Sequence, residues 1–191
     1  MDHQNIILLV LSAVLLCSGC TSTPSVIQAP DWGYEKNAIR LHMVGDPQLN
    51  LYQKKAHSLL ICLYHLRDPN GFNQLVDEKD GLGKLLECNR FDPSVTYTRR
   101  VVMQPNQEID EAMDRTDGAK YVGVAAGYYN TQQNKSSTVS YQIPVIGTKK
   151  GSTLVQKTAP LSIELYLGPQ NITPIQDIPS VTDTIQGKER K

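Results

Sequence analysis

The chain has 191 residues, 40% of them hydrophobic and 20% charged, and its 19 Lys and Arg residues balance its 19 Asp and Glu residues. A nucleic-acid-binding protein needs a basic excess clustered on one face, and no Lys/Arg block of that kind is present, so nucleic acid is excluded as a partner. A chain of this length suits one domain built around a single hydrophobic core.

The amino terminus has the pattern of a bacterial signal peptide. Residues 6–16 are apolar apart from one serine, a run roughly half as long as one that spans a bilayer. The next residues, Ser18, Gly19 and Cys20, resemble the lipobox, in which a peptidase accepts small side chains and the following thiol receives a diacylglyceryl group. Residues 1–19 are therefore predicted to be removed and Cys20 to carry a covalent lipid. The alternative is an ordinary secretory signal followed by a chance cysteine.

Cleavage would leave a mature chain with a flexible start, a folded middle and a flexible end. It removes one acidic residue, so 18 acidic and 19 basic residues remain. Residues 20–31 are rich in Ser, Thr and Pro and are predicted to form a tether. Residues 32–168 are predicted to form the folded domain. Residues 169–191 are predicted to be a disordered tail, because they hold too little apolar surface to fold.

Two strands are predicted in the first part of the domain. Residues 38–44 alternate, with Ile39, Leu41 and Met43 on one face, as in a strand with one side in solvent. Residues 58–66 are apolar on both faces, which is typical of a central strand covered on both sides.

A short helical insertion is predicted next, at about residues 68–90. Asp68 and Pro69 form a helix-start signal, since aspartate accepts hydrogen bonds from free backbone N–H groups and proline suits the first turn. Apolar residues then recur at helical spacing on both sides of a turn at Asp80 and Gly81. They are Phe72, Leu75, Val76, Leu82, Leu85 and Leu86.

The rest of the domain is predicted to consist of short strands. Residues 108–115 fit both a helical and an alternating pattern and are interpreted as irregular or as an edge strand. The glycines of residues 120–129 indicate close approach by another segment, and Pro144 favours an edge position. Seven or so strands with Gly, Pro and Asn turns indicate a mainly β protein, an antiparallel sandwich. The further strands are residues 95–103, 120–129, 138–146, 154–156 and 161–167, with a turn at residues 147–151.

Two cysteines remain after processing, since Cys17 leaves with the signal and Cys20 is lipidated. Cys62 and Cys88 are an even pair in an oxidising compartment, which predicts a disulfide. The alternative is two buried free thiols. Without CxxC spacing, the pair makes a poor zinc site.

No motif for catalysis or metal binding stands out. His42, His57 and His65 lack metalloprotease spacing, residues 77–81 lack the ligands of a calcium loop, and no G-x-S-x-G motif occurs. We therefore expect a protein that is not an enzyme and that has no metal and no cofactor besides the covalent lipid.

Several stretches together resemble the TssJ (SciN) family, the outer-membrane lipoproteins of the type VI secretion system. The resemblance covers residues 32–167, and it depends on the order of the stretches, the lipobox and the chain length, because none of them is catalytic or unique. They are residues 38–43 followed by Leu49-Asn50, residues 63–66 followed by Phe72, residues 91–95 and residues 121–128.

This resemblance implies a transthyretin-like β-sandwich held at the inner leaflet of the outer membrane and facing the periplasm. Thr21 agrees with that location, because inner-membrane retention of lipoproteins is associated with Asp at this position. The resemblance also implies binding to the periplasmic domain of TssM, and through it to TssL, so that the lipoprotein anchors the trans-envelope assembly.

In that family the loop between the first two strands contacts TssM, which here is Gly45 to Lys55. Leu49 and Asn50 carry over from the resemblance, and Gln48, Leu51 and Tyr52 are added for their position and chemistry. We expect the apolar side chains to be displayed for a partner. The alternative is that they fold back and cap the sandwich.

Two other functions remain open from the sequence. One is a periplasmic transthyretin-like ligand-binding module or enzyme, for which His42, His57 and His65 would have to converge. The other is a lipoprotein of a different envelope machine.

Overall fold

The structure is a computed structural model that describes residues 26–129, 134–151 and 153–174. The predicted signal peptide, Cys20, part of the tether and residues 175–191 of the predicted tail lie outside the described residues. Within them the chain divides into two compact units. The larger comprises residues 30–146 and 157–174, and the smaller comprises residues 26–29 and 147–156.

Strands dominate both units, with two short helices and one turn of 3-10 helix. The strands are β1 (Val26–Gln28), β2 (Glu35–Gly45), β3 (Leu59–Leu66), β4 (Val95–Met103), β5 (Glu108–Arg115), β6 (Tyr121–Ala126), β7 (Thr138–Gln142), β8 (Val145–Lys150), β9 (Thr153–Thr158), β10 (Leu161–Leu167) and β11 (Ile172–Pro174). The helices are α1 (Asn70–Asp77) and α2 (Gly81–Leu85), and the 3-10 turn is Asn134–Ser137.

The larger unit is a sandwich of two four-stranded sheets. One sheet has the order β11-β10-β2-β5 and the other β4-β3-β6-β7. Apolar side chains from both sheets form one buried cluster between them. The mainly β fold class with a small helical insertion is therefore confirmed.

The alternation predicted for β2 is confirmed. Ile39, Leu41 and Met43 are buried between the sheets, whereas Arg40 and His42 lie on the outer face. β2 pairs antiparallel with β5 but parallel with β10, so the sandwich is not antiparallel throughout. A parallel neighbour needs a long crossover connection, and the chain between β2 and β10 supplies it.

β3 is the central strand that its apolar sequence predicts. It lies between β4 and β6, and both of its faces are covered. One face lies in the sandwich core, and the other contributes Tyr64 to a second cluster with Phe72 and Leu85 of the helices. A Cβ atom at Gly123 would lie 2.9 Å from a Phe72 ring carbon, which confirms the close approach expected at the glycines of β6.

Both helices lie within residues 68–90. Helix α1 begins at Asn70, whose backbone N–H donates to Asp68 Oδ1 at 3.0 Å, so Asp68 accepts as its position predicts. Phe72, Leu75, Leu82 and Leu85 are buried against the second sheet.

Residues 108–115 form β5, which lies at the edge of its sheet, so the edge-strand interpretation was correct. The strand predicted at residues 138–146 is interrupted at Ile143 and Pro144. The turn predicted at residues 147–151 is wrong, because most of that segment belongs to β8. Strand β9 supplies the hydrogen-bonding partner for β8 in a hairpin, and only Gly151 has the positive φ typical of a turn.

Both predicted flexible segments contain a short strand. Val26–Gln28 of the tether pairs with β9, and Ile172–Pro174 of the tail pairs with β10. Each gains a backbone partner that is far away in the sequence, and Ile172 is buried in the sandwich core. Local composition reports neither gain, so it could not predict the strands at Val26–Gln28 and Ile172–Pro174.

Candidate functional site

The segment from Asp46 to Ser58, which we name the β2–β3 loop, carries the predicted contact residues. Its backbone is tied to the end of β10: Asp46 N–H donates to Leu167 O at 2.9 Å, and Leu51 N–H donates to Pro169 O at 2.8 Å. His57 N–H closes the loop on Leu49 O at 2.9 Å. The loop is therefore fixed on the sandwich along its length.

Leu49 is fully buried in the sandwich core, with 0% exposure. The expectation that this side chain is displayed for a partner is therefore wrong, and the capping alternative holds at this position. Burial removes an apolar side chain from water, which stabilises the fold by about 1.5–3 kcal/mol for a leucine. Leu51 is partly buried, and Gln48 is exposed.

Asn50 is buried as well, and its amide group holds two chain segments together. Its Nδ2 donates to Ser58 O at 2.8 Å, and its Oδ1 accepts from Tyr129 N–H at 2.8 Å. The backbone of Asn50 has φ 49°, a left-handed conformation that asparagine tolerates better than most residues. Asn50 therefore positions the loop and Tyr129, and its side chain is not displayed to a partner.

The tip of the β2–β3 loop is a two-residue turn. Tyr52 and Lys55 exchange two backbone hydrogen bonds, each 2.9 Å long. Gln53 and Lys54 between them both have positive φ, 47° and 64°. This geometry is that of a type I′ turn, which usually takes Asn-Gly because other side chains are strained there.

Three aromatic rings meet beside this tip, and we name them the tyrosine cluster: Tyr52, His57 and Tyr129. Tyr52 stacks on Tyr129 with ring centroids 5.2 Å apart, and the His57 ring meets the edge of Tyr129 at 5.1 Å. Tyr52 is 44% exposed and Tyr129 is 62% exposed. Of the predicted contact residues, Tyr52 is thus the one that presents a large exposed ring.

Sequence reasoning missed His57 and Tyr129. Tyr129 follows β6 and is 77 residues from Tyr52. The pairing of β6 with β3 and the hydrogen bond from Tyr129 N–H to Asn50 bring the two together. The available signal was an aromatic residue at the end of a core strand, directly before a polar loop.

The loop is also positively charged. Lys54 and Lys55 are exposed at the tip, and Asp46 at its start is the only acidic residue of the loop. An acidic partner surface would complement this charge.

Cys62 and Cys88 form a disulfide in the structure, with Cα atoms 5.1 Å apart. The bond joins β3 to the residues that follow α2. Nearby, the buried Tyr64 hydroxyl donates to Leu85 O, and burial raises the pKa of Tyr64 to about 12.

The three histidines do not converge. His42, on the outer face of β2, lies 2.8 Å from Asp110, and this hydrogen bond raises the pKa of His42. His65 is buried with its Nδ1 3.2 Å from Thr116 Oγ1, and burial lowers its pKa to about 4, so the ring is neutral at pH 7. His57 lies in the tyrosine cluster. The three rings have different hydrogen-bond, ion-pair and aromatic partners, so the structure does not assemble the ligand site that they would have formed.

In the described ranges 26–129, 134–151 and 153–174, no three His, Cys, Asp or Glu side chains are arranged to hold a metal ion. Over the same ranges, no helix combines the length and the apolar character needed to cross a membrane.

Solved structures with a similar fold include proteins of one secretion machine. A chain in the solved structure of the type VI secretion protein TssM C-terminal domain from EAEC is 17% identical, with TM-score 0.55, over 73% of this chain and 98% of that one. TssJ1 from Pseudomonas aeruginosa, a type VI secretion lipoprotein, is 16% identical with TM-score 0.54, over 78% and 100% of the two chains. Serratia marcescens Lip, a membrane-bound component of that system, is 17% identical with TM-score 0.55, over 73% and 98%. At these identities the likeness shows the fold alone.

Family membership comes from the sequence. No curated protein sequence is significantly similar to this chain. The model of the type VI secretion lipoprotein family, which includes VasD, EvfM and TssJ, matches residues 37–165, well over half of the chain. Together with the shared fold, this match shows that the chain belongs to the type VI secretion lipoprotein family.

Proposed function

We propose that this protein is anchored in the outer membrane by a lipid on Cys20 and binds the periplasmic domain of TssM through its β2–β3 loop. Through TssM it would be connected to TssL, and so hold the secretion assembly at the outer membrane. The role is structural, in keeping with a family of secretion-system components that is not an enzyme family. The observation that carries the contact site is the exposed tyrosine cluster.

The tyrosine cluster has the properties of a binding hot spot. Tyrosine is enriched among the residues that dominate interface energies, because it combines a large apolar ring with a hydroxyl group. Tyr52 and Tyr129 present such rings side by side at the surface, with exposures of 44% and 62%. Buried anchors hold both segments, so the surface is already ordered and little entropy is lost on binding.

The strained turn supports the same site. A non-glycine residue in the left-handed region costs about 1 kcal/mol, and two consecutive residues of the tip adopt it, Gln53 and Lys54. Strain of this kind concentrates at functional sites, where the surrounding structure holds it in place. Lys54 and Lys55 give the surface a positive charge that would select an acidic patch on the partner.

The comparisons support TssM as the partner. The chain shares its fold with a chain of the solved TssM C-terminal domain structure and with lipoproteins of the same secretion system. The family match adds that this chain is itself such a lipoprotein.

Tyr52→Ala and Tyr129→Ala should each weaken binding to the TssM periplasmic domain by about 1–2 kcal/mol or more, a factor of roughly 5 to 30. Their free energies of unfolding should change by no more than about 0.5 kcal/mol, because both rings lie at the surface and neither belongs to a buried core cluster. Titration calorimetry and thermal melts of the same preparations measure both quantities.

Tyr34→Ala is the matched control, since Tyr34 is 63% exposed but lies outside the tyrosine cluster. It should leave TssM affinity unchanged. Full affinity in both cluster variants would contradict the proposed contact site.

Cys20→Ala should release the protein from the outer membrane into the periplasmic fraction. The acyl chains on the thiol contribute about 0.8 kcal/mol for each buried CH₂ group, and two or more chains give stable anchoring. Membrane fractionation followed by immunoblotting measures the distribution. Cys17→Leu, a substitution within the predicted signal peptide that leaves Cys20 in place, should remain in the outer membrane. A Cys20→Ala protein that still fractionates there would refute the lipid anchor.

A further inference from the structure

The smaller unit is a three-stranded sheet whose pairing bears on the lipid anchor. Its strand order is β1-β9-β8, so β9 is central and β8 and β9 form a hairpin. β1 runs parallel to β9, with Val26 opposite Thr153 and Gln28 opposite Val155. The hairpin turns at Gly151, which has φ 60°.

This parallel register places the start of β1 at the hairpin turn. Thr153 is the first residue of β9, directly after the turn, and Val26 lies opposite it. Cys20 precedes Val26 by six residues in the sequence, which span at most about 20 Å when fully extended. A lipid on Cys20 would therefore hold the start of the turn within about 25 Å of the point where the acyl chains enter the membrane, since neighbouring strands are about 5 Å apart.

The hairpin turn is basic. Lys149 and Lys150 end β8, all of whose side chains are exposed. No Asp or Glu occurs among the described residues of the smaller unit, which are 26–29, 147–151 and 153–156. The wider sequence has the same bias, because residues 118–163 contain five lysines and no acidic residue in a chain of zero net charge. Ile27, next to the start of β1, is 61% exposed.

We propose that the turn of the β8–β9 hairpin contacts the anionic phospholipid headgroups of the leaflet that holds the lipid on Cys20. The ammonium groups of Lys149 and Lys150 bind lipid phosphates, and the exposed side chain of Ile27 lies at the membrane interface. The inference rests on the lipid anchor of the proposed function and is independent of TssM binding.

A membrane surface is favoured over a protein partner by the length of the tether. The lipid confines the turn to a thin layer next to the headgroups, so their effective concentration at Lys149 and Lys150 is high without any further binding partner. Each lysine near an anionic surface strengthens the association about fivefold, and the effect decays within a Debye length. Two lysines are too few to recruit the protein alone, so the contact sets the position of an already anchored hairpin.

The experiment is lysine footprinting of the full lipidated protein in vesicles. The protein is reconstituted into vesicles of phosphatidylcholine alone or with about 30% phosphatidylglycerol, and an amine-acetylating reagent is added. Mass spectrometry then gives the acetylation rate at each lysine. Lys149 and Lys150 should react about fivefold more slowly in the anionic vesicles, and about 0.5 M NaCl should abolish the difference.

Lys54 and Lys55 are the matched internal control, since they too are an exposed lysine pair at a turn. Their acetylation rates should be the same in both kinds of vesicle. Lys149→Gln should reduce the protection of Lys150, because one of the two cationic groups is lost.

The outcomes separate the hairpin contact from the anchor. Vesicle flotation is measured first, and protein that does not float refutes the anchor and with it the inference. Protein that floats while Lys149 and Lys150 react equally fast in both vesicles leaves the anchor in place and overturns the hairpin contact. Equal slowing of Lys54, Lys55, Lys149 and Lys150 in the anionic vesicles also overturns it.

Discussion

Leu49→Ala should lower the free energy of unfolding by about 3 kcal/mol, because it removes a fully buried leucine side chain from the sandwich core. The cost combines the lost transfer of methylene and methyl groups from water with the cavity left behind. The hydrogen bonds that tie the loop to β10 limit how far the surroundings can collapse into that cavity. For a domain of this size the melting temperature should fall by roughly 10 °C.

Chemical denaturation of the mature domain measures this loss. Leu49→Met is the matched control, because it conserves volume and should cost less than about 1.5 kcal/mol. Tyr52→Ala, a few residues away in the same loop, should cost no more than about 0.5 kcal/mol. Equal stability of Leu49→Ala and the unmodified protein would mean that Leu49 is not a core residue.

Leu49→Ala and Tyr52→Ala also distinguish a structural role from a binding role within one loop. If Leu49→Ala weakens TssM binding, the loss should accompany the fall in stability and disappear at temperatures where the variant is fully folded. The loss caused by Tyr52→Ala should persist at all temperatures. These results would assign Leu49 to holding the loop in place and Tyr52 to the proposed contact with the partner.

Loss of the Cys62–Cys88 disulfide should lower the free energy of unfolding by about 3.5 kcal/mol. The bond closes a loop spanning 26 residues, and the chain-entropy model gives this value for a loop of that length. The reduced protein should therefore unfold at lower denaturant concentration with a similar slope. The helices should be affected most, because the bond links them to β3.

Denaturation with and without reductant measures the effect. The Cys62→Ala/Cys88→Ala double variant is the control: it should be destabilised to a similar extent and should no longer respond to reductant. Mass spectrometry of the unreduced mature protein should find no free thiol at either position. Two free thiols there would show that the cysteines are only packed as small apolar groups.

The sequence by itself determined the features that depend on local pattern. The alternation of Ile39, Leu41 and Met43 predicts which face of β2 is buried, because side chains in a strand point to opposite faces in turn. The apolar run of β3 predicts a strand covered on both sides, and helical spacing around Phe72 predicts α1. The order of the stretches also indicated the family.

The tertiary structure alone decided the features that depend on a distant partner. Leu49 has the same local context as an exposed loop leucine, and it is buried only because the loop is held over the open end of the sandwich by hydrogen bonds to residues after β10. Ile172 becomes part of a strand because β10 offers it a free edge. Tyr129 lies beside Tyr52 because β6 pairs with β3 and because the amide of Asn50 holds the backbone of Tyr129. Burial and backbone pairing are set by residues that are far apart in the chain, so no local pattern of hydrophobicity could place these side chains.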